Sequence, residues 1–463
     1  MPSAAVWKSR LARSIHVPDA LKRQLGWTTA GYGFIQVVRF ASNLILTRIL
    51  APDLFGLMIL LTSIRIGIEL FTDIGIGQNV IASPHTRNPR FYNTAWTLQL
   101  VRGVLLGGLL LLLLPLLRQI YAEETLSKVL PLLSLFFLIT GSHSIATTVA
   151  TKELRTKRIA IFEAATVIAG NLLIIGSALI SPTIWGLMAG QLLGALVTVT
   201  GSYFVMPEIV CRPLFDRRFA GEIISFGKWI FLASIVYFLS TYLDRLILGK
   251  YVPLAMLGVY GIARSLGDIF AQFGTRLGDV IIFPKIASTE HRGRELERRV
   301  AKPRWQFLAA FLCGLVPFIA LSEPIIRILY DPRYHGAAAL LSWVGLSAWL
   351  GIINTANNAV LLGLSKPNFT AAGNLAKLLA LVALLPWMIV HAGIAGAAVA
   401  TAGSELVRYA VLLFGQRRER IGFVGQDIVM TALLVVAAFA VHAAARAIYP
   451  AGFILPLFQL SWT

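Results

Sequence analysis

The stretch LFGLMILLTSIRIGIELFTDIGIGQNVI, residues 54–81, is long and apolar enough to cross a bilayer, yet it carries Arg65, Glu69 and Asp73. A second stretch, Leu254–Ala287, carries Arg264, Asp268, Arg276 and Asp279. A charge at the bilayer centre costs about 2.5–3.5 kcal/mol on insertion scales, so such residues face a bundle interior or a wet cavity. On the first helix the charges fall at i, i+4 and i+8. On the second, Arg264, Asp268, Gln272 and Arg276 are spaced by four throughout. Spacings of four put side chains on one helix face. Each helix therefore turns a polar stripe inward, the pattern of a protein that moves something polar through its middle.

The rest of the chain supplies the surrounding bundle. Of 463 residues, 57% are hydrophobic and 14% charged, where soluble domains carry about 25% charge. A spanning helix needs roughly 20 apolar residues. Apolar runs separated by charged or turn-rich breaks predict spans at 25–50, 54–81, 92–117, 127–150, 158–180, 183–206, 219–248, 254–287, 305–329, 335–363, 369–390, 392–415 and 427–448. Ala451–Thr463 is apolar but short and contains Pro456, so thirteen or fourteen helices are expected in an all-α integral membrane protein. The segment Ser288–Arg304 reads as a solvated helix or linker between two halves.

The net charge of +19 does not point to nucleic acid, because the basic residues cluster in short loops between apolar runs. With the N-terminus in the cytoplasm, inner segments hold 25 of the 41 Lys and Arg. Outer loops carry Arg118, Lys128, Lys250, Arg333 and few others. That asymmetry is the positive-inside pattern. The first 24 residues lack the arrangement of a cleavable signal peptide. Cys211 falls in a basic loop and Cys313 in a span, so two free thiols are expected, with no disulfide, metal site or cofactor.

Two parts of the chain repeat each other. Leu46-Thr-Arg48-Ile-Leu50 followed by Leu54-Phe-Gly56 parallels Leu243-Asp-Arg245-Leu-Ile247 followed by Met256-Leu-Gly258. Pro52 and Pro253 sit in the intervening turns. Six spans separate the copies, so both have one orientation. Parallel halves with a site between them are a known transporter plan.

Arg48-Ile-Leu-Ala-Pro52-Asp53-Leu-Phe55-Gly56, with Asp73-Ile-Gly75-Ile-Gly77-Gln78, resembles the N-terminal signature of Wzx-type polysaccharide flippases. Asp244-Arg245-Leu-Ile-Leu-Gly249, with Leu257-Gly258-Val-Tyr260, is similar to that family's second-half signature. These proteins form the polysaccharide transporter branch of the multidrug/oligosaccharidyl-lipid/polysaccharide exporter superfamily. The resemblance implies two pseudo-symmetric six-helix lobes in a V around a cationic cavity. The corresponding segments are a basic N-tail (1–24), an N-lobe (25–206), an inner loop (207–218), a C-lobe (219–415) and one or more extra helices (416–463). It also implies alternating access in the bacterial inner membrane and a cargo, an undecaprenyl-pyrophosphate-linked oligosaccharide. A polysaccharide polymerase and export machinery would be its partners.

The residues themselves give the cavity its sign. Ten cations (Arg39, Arg48, Arg65, Arg102, Lys228, Arg245, Arg264, Arg276, Lys377, Arg408) stand against seven acids (Glu69, Asp73, Glu163, Asp244, Asp268, Asp279, Glu405). A net positive interior suits an anionic head group, which the planar fork of arginine holds through two hydrogen bonds. Arg39, Arg65, Arg102, Arg264 and Arg276 are the candidate contacts. Glu69, Asp73, Glu163 and Asp268 are candidates for coupling to a proton or sodium ion, since a buried carboxylate can retain a proton. Asn354, Asn357 and Asn358 form an amide patch suited to holding helices together.

Three other functions compete. Membrane sugar polymerases and ligases resemble enzymes with catalytic residues in sizeable outer loops, whereas the outer loops here are short and His335 and His391 are isolated. An exporter of organic cations favours an acidic cavity. A peptidoglycan-precursor flippase shares the pyrophosphate chemistry.

Overall fold

The computed structural model describes residues 19–121, 123–278, 282–287 and 293–448. The side chain of Lys228, Asp279, most of the N-tail and the whole of Ala451–Thr463 lie outside the described residues. The described chain is helical, as lipid demands, since a helix satisfies every backbone polar group within its own segment.

The first helix group contains α1 (Asp19–Ile49), α2 (Pro52–Leu70), α3 (Ile76–Ala82), α4 (Pro89–Tyr121), α5 (Glu124–Gly141), α6 (Ala146–Lys152), α7 (Thr156–Ile180) and α8 (Ile184–Ser202). The second contains α9 (Arg217–Tyr251), α10 (Leu254–Leu277), α11 (Phe283–Ala287), α12 (Gly293–Ala320), α13 (Ser322–Leu329), α14 (Ala337–Gly363), α15 (Pro367–Arg418) and α16 (Val424–Ile448). Ten of the described helices are long and apolar enough to cross a membrane. α15 runs for 52 residues and kinks at Ala392–Gly393, where Gly393 has φ +55°. At about 1.5 Å per residue and a hydrocarbon core of about 30 Å, it amounts to two passes.

Local chemistry sets the boundaries. Pro52 opens α2 and Pro253 caps α10, each forcing the residue before it out of helical geometry. Asp216 caps α9 by accepting from the Arg218 and Phe219 amides, Thr183 caps α8 through Gly186, and Glu123 caps α5 through Thr125.

Four expected spans divide into two helices each: 254–287 into α10 and α11, 305–329 into α12 and α13, and two more at breaks that side chains hold. The stretch 54–81 becomes α2 and α3, separated at 71–75, where Gly75 takes φ +61°, a conformation that favours glycine. Asp73 holds the break by accepting from the Gly75 amide and the Ser234 hydroxyl. Similarly, 127–150 becomes α5 and α6. The Ser142 and His143 carbonyls there accept from Tyr203 and Gln99, and the Ser144 amide donates to Ser202. Side chains thus replace the ladder bonds that each break removes.

Of Ser288–Arg304, read as a solvated helix or linker, the described part is helix and largely exposed or half-buried, but it ends in a buried charge. From Gly293 it is the first part of α12, and Arg304 is fully buried. Its guanidinium pairs with Asp427, stacks on Phe423, and donates to Asn357 and Gln426. This network ties α12 and α14 to α16 and the turn before it.

Within the first group α1 packs on α7, α4 on α5, and α7 on α8. Within the second, α14 packs on α10 and α15, and α16 on α12. The groups meet chiefly where α2 lies against α9 and α10. Cys211 and Cys313 are free thiols.

Candidate functional site

The junction is closed at one end. α2 and α10 cross so tightly at Gly56 and Gly258 that a Cβ built on either would collide with the other's backbone. Beside this crossing, Arg333 donates to the carbonyl of Arg48 and Tyr334 to that of Leu50, so a turn of the second group caps the C-terminal carbonyls of α1.

Further along, α1, α2, α9 and α10 diverge around a cavity of about 320 Å³, lined by Asn43, Thr62, Ser63, Tyr242, Arg245, Asp268 and Gln272 among others. Gln36 of α1 donates to Gln272 of α10 across it at 2.7 Å.

The charges on the second-group wall are paired. Arg245 pairs with Asp268. The Arg264 Nε lies 3.2 Å from Asp268 and 3.7 Å from Asp244, and Asp244 also accepts from Tyr260 at 2.6 Å. Two arginines and two aspartates therefore balance in an almost buried cluster. A second cluster lies on α14 and α15: Glu405 is 2.6 Å from the Lys377 ammonium, 3.7 Å from Arg408, and accepts from Asn354. Burying such charges is tolerable only because each is paired and hydrogen-bonded.

On the first-group wall, Arg65 pairs with Glu69 at 2.9 Å and stands over the Phe136 ring. Arg102 donates to the Glu69 carbonyl at 2.6 Å and to the Thr72 hydroxyl, closing the last turn of α2 where that helix breaks. Glu69, Asp73, Gln99, Arg102 and Thr140 line a second cavity of about 320 Å³.

Of the five candidate arginines, Arg65, Arg102 and Arg264 thus engage groups of the protein itself. Arg39 and Arg276 are exposed, on α1 and at the last turn of α10, and both act electrostatically on Glu163 of α7. Among the four candidate acids, Glu69 and Asp268 are ion-paired, Asp73 holds the α2–α3 break, and Glu163 is exposed. Reading charges helix by helix misses Arg304–Asp427 and Lys377–Glu405, whose partners are remote in sequence. The amide patch does bridge helices: Asn354 reaches Glu405, and Asn357 accepts from Arg304 and Gln416.

An all-helical membrane protein of two helix groups, sealed at one end and lined by paired charges, has the architecture of a two-lobed transporter. The chain belongs to the family described as "Polysaccharide biosynthesis protein", whose model matches residues 45–339. It is 22% identical to the succinoglycan biosynthesis transport protein ExoT of Rhizobium meliloti, over 70% of this chain and 65% of that one. It is 21% identical to the lipopolysaccharide biosynthesis protein WzxC of Escherichia coli, over 82% of this chain and 75% of that one. The chain therefore spans just under two thirds of the first of these relatives and three quarters of the second. Its fold is that of lipid II flippase MurJ in an inward closed conformation, with TM-score 0.71, 12% identity, and coverage of 91% of this chain and 98% of that one. An inward-facing multidrug resistance transporter of the MATE family, itself of the MOP superfamily, gives TM-score 0.62 at 15% identity, over 83% of this chain and 94% of that one.

Proposed function

We propose that this protein is a flippase. It carries a polyprenyl-pyrophosphate-linked oligosaccharide repeat unit from the cytoplasmic to the periplasmic leaflet of the bacterial inner membrane, by alternating access, with its N-terminus in the cytoplasm. The observation that carries this reading is the polar seam between the helix groups, shut at the Gly56–Gly258 crossing and lined beyond it by polar and ion-paired side chains, Arg245 and Asp268 among them. Kinship with the succinoglycan and lipopolysaccharide proteins supports a sugar-bearing cargo.

A pyrophosphate cannot enter hydrocarbon bare, because burying unpaired charge is prohibitive. Arg39 and Arg276 meet the head group first, where they are exposed. Arg65, Arg102 and Arg264 take it over deeper in the seam. Arg65 and Arg264 exchange a carboxylate for a phosphate oxygen of the same sign, so no guanidinium is left unpaired during passage. The polyprenyl tail stays in lipid. The protein moves its cargo without altering it; a polymerase and export machinery act on the delivered unit.

Deleting the gene in its native host tests this. Loss of a surface polysaccharide, with continued growth and lipid-linked repeat units retained on the cytoplasmic leaflet, is the expected outcome. Lysis would instead mark a peptidoglycan-precursor flippase, and hypersensitivity to organic cations alone would mark a drug exporter.

A further inference from the structure

We propose that a pocket between α3, α6 and α7, separate from the arginine seam, is a carbohydrate subsite that recognises a pyranose ring of the cargo. This inference rests on the flippase reading above and adds to it the part of the cargo that the arginines do not read.

The pocket holds about 460 Å³, within the range of about 300–1,000 Å³ that small-molecule sites occupy. Its lining is rich in acceptors. The Thr147 hydroxyl donates to the Ser144 carbonyl and that of Thr151 to the Thr147 carbonyl, so both present oxygen lone pairs to an incoming group. The carboxylate of Glu163 accepts only. Thr148 and Gln78 add groups that both donate and accept. A polyol, whose hydroxyls need acceptors at several points of one ring, matches this set, whereas a second anion meets the Glu163 charge. Phe162 supplies the remaining requirement, an aromatic wall on which the C–H face of a sugar ring packs by dispersion.

The position is right for a cargo with two parts. Glu163, in the wall of the pocket, feels the charges of both Arg39 of α1 and Arg276 of α10. A pyrophosphate held by those arginines therefore lies beside the pocket, and the first sugar attached to it is within reach.

The test uses the full-length protein in lipid nanodiscs and three probes: farnesyl pyrophosphate, and the same lipid pyrophosphate bearing one glucose or one galactose. The readout is the ratio of affinities, glycosylated over bare. The wild type is expected to favour at least one glycosylated probe about tenfold, equivalent to one or two hydrogen bonds. The near-isosteric Thr148→Val and the aromatic deletion Phe162→Leu should each bring that ratio close to one, while Thr148→Ser keeps it. A ratio near one in the wild type for both hexoses, or wild-type ratios in both disruptive variants, overturns the sugar subsite and leaves the flippase reading standing. Failure of all three probes to bind overturns the pyrophosphate reading and this inference with it.

Discussion

Gly56 of α2 and Gly258 of α10 pack backbone to backbone: a Cβ on Gly56 would lie 1.9 Å from the Leu254 carbonyl oxygen, and one on Gly258 would lie 2.3 Å from that of Pro52. The two glycines occupy matching places in the internal repeat, each just after a proline turn. The two copies therefore seal one end of the seam against each other. A methyl group at either position would wedge the helices apart. Overpacking costs about 1–3 kcal/mol, enough to shift a two-state population roughly tenfold or more. Gly56→Ala and Gly258→Ala are expected to cut polysaccharide export about that much with membrane levels unchanged, measured by complementation and immunoblotting; wild-type export in both would show that this end need not close.

The repeated proline turn followed by a glycine was legible in the chain, but the packing of Gly56 on Gly258 was not, because it joins helices far apart in sequence. Arg65–Glu69 and Arg264–Asp268 were legible too, since a spacing of four fixes them on one helix face. Arg102 was not. With no acid near it on its own helix it reads as an uncommitted cation, yet it closes the end of α2 at a break that lies 30 residues earlier in the chain. Arg304 was misplaced for a related reason. Its basic neighbours make the stretch look solvated, and only the folding of α16 onto α12 brings Asp427 to it. Charge periodicity reveals pairs within a helix; pairs between helices depend on crossings that no local pattern encodes.

The buried Arg304–Asp427 pair makes a stability prediction. Removing one partner strands the other charge in the core, which typically costs about 3–5 kcal/mol. Arg304→Met should therefore lower the thermal unfolding temperature sharply in detergent. The double variant Arg304→Met/Asp427→Leu should recover much of the loss, because a buried pair can be replaced by apolar packing with little penalty. Equal destabilisation in the single and double variants would show that the remaining hydrogen bonds, not the charge pair, hold α16.

Exposed and buried arginines should separate in the same assay. Arg39 and Arg276 are exposed, so Arg39→Ala and Arg276→Ala should weaken binding of farnesyl pyrophosphate several-fold at unchanged stability, and more so at low salt, where surface charges are poorly screened. Arg264 also neutralises Asp244 and Asp268. Arg264→Ala should lose both binding and thermal stability. If the Arg39 and Arg276 variants bind normally, those residues do not receive the head group.

The cap on α1 sets the last expectation. Tyr334 is buried and donates to the Leu50 carbonyl, while Arg333 donates to that of Arg48. Both contacts join the helix groups at the end sealed by Gly56 and Gly258, so both must break when that end opens. Tyr334→Phe keeps the ring packed edge-on against Phe55 and removes only the donor. Losing one such hydrogen bond costs about 1 kcal/mol, or roughly fivefold in the ratio of closed to open molecules. Spin labels at positions 53 and 256, in a background with Cys211 and Cys313 changed to serine, would read the distance across this end. Tyr334→Phe should enlarge the long-distance fraction by about that factor, and Arg333→Ala should act in the same direction. An unchanged distance distribution in both variants would mean that the glycine crossing alone keeps the end shut.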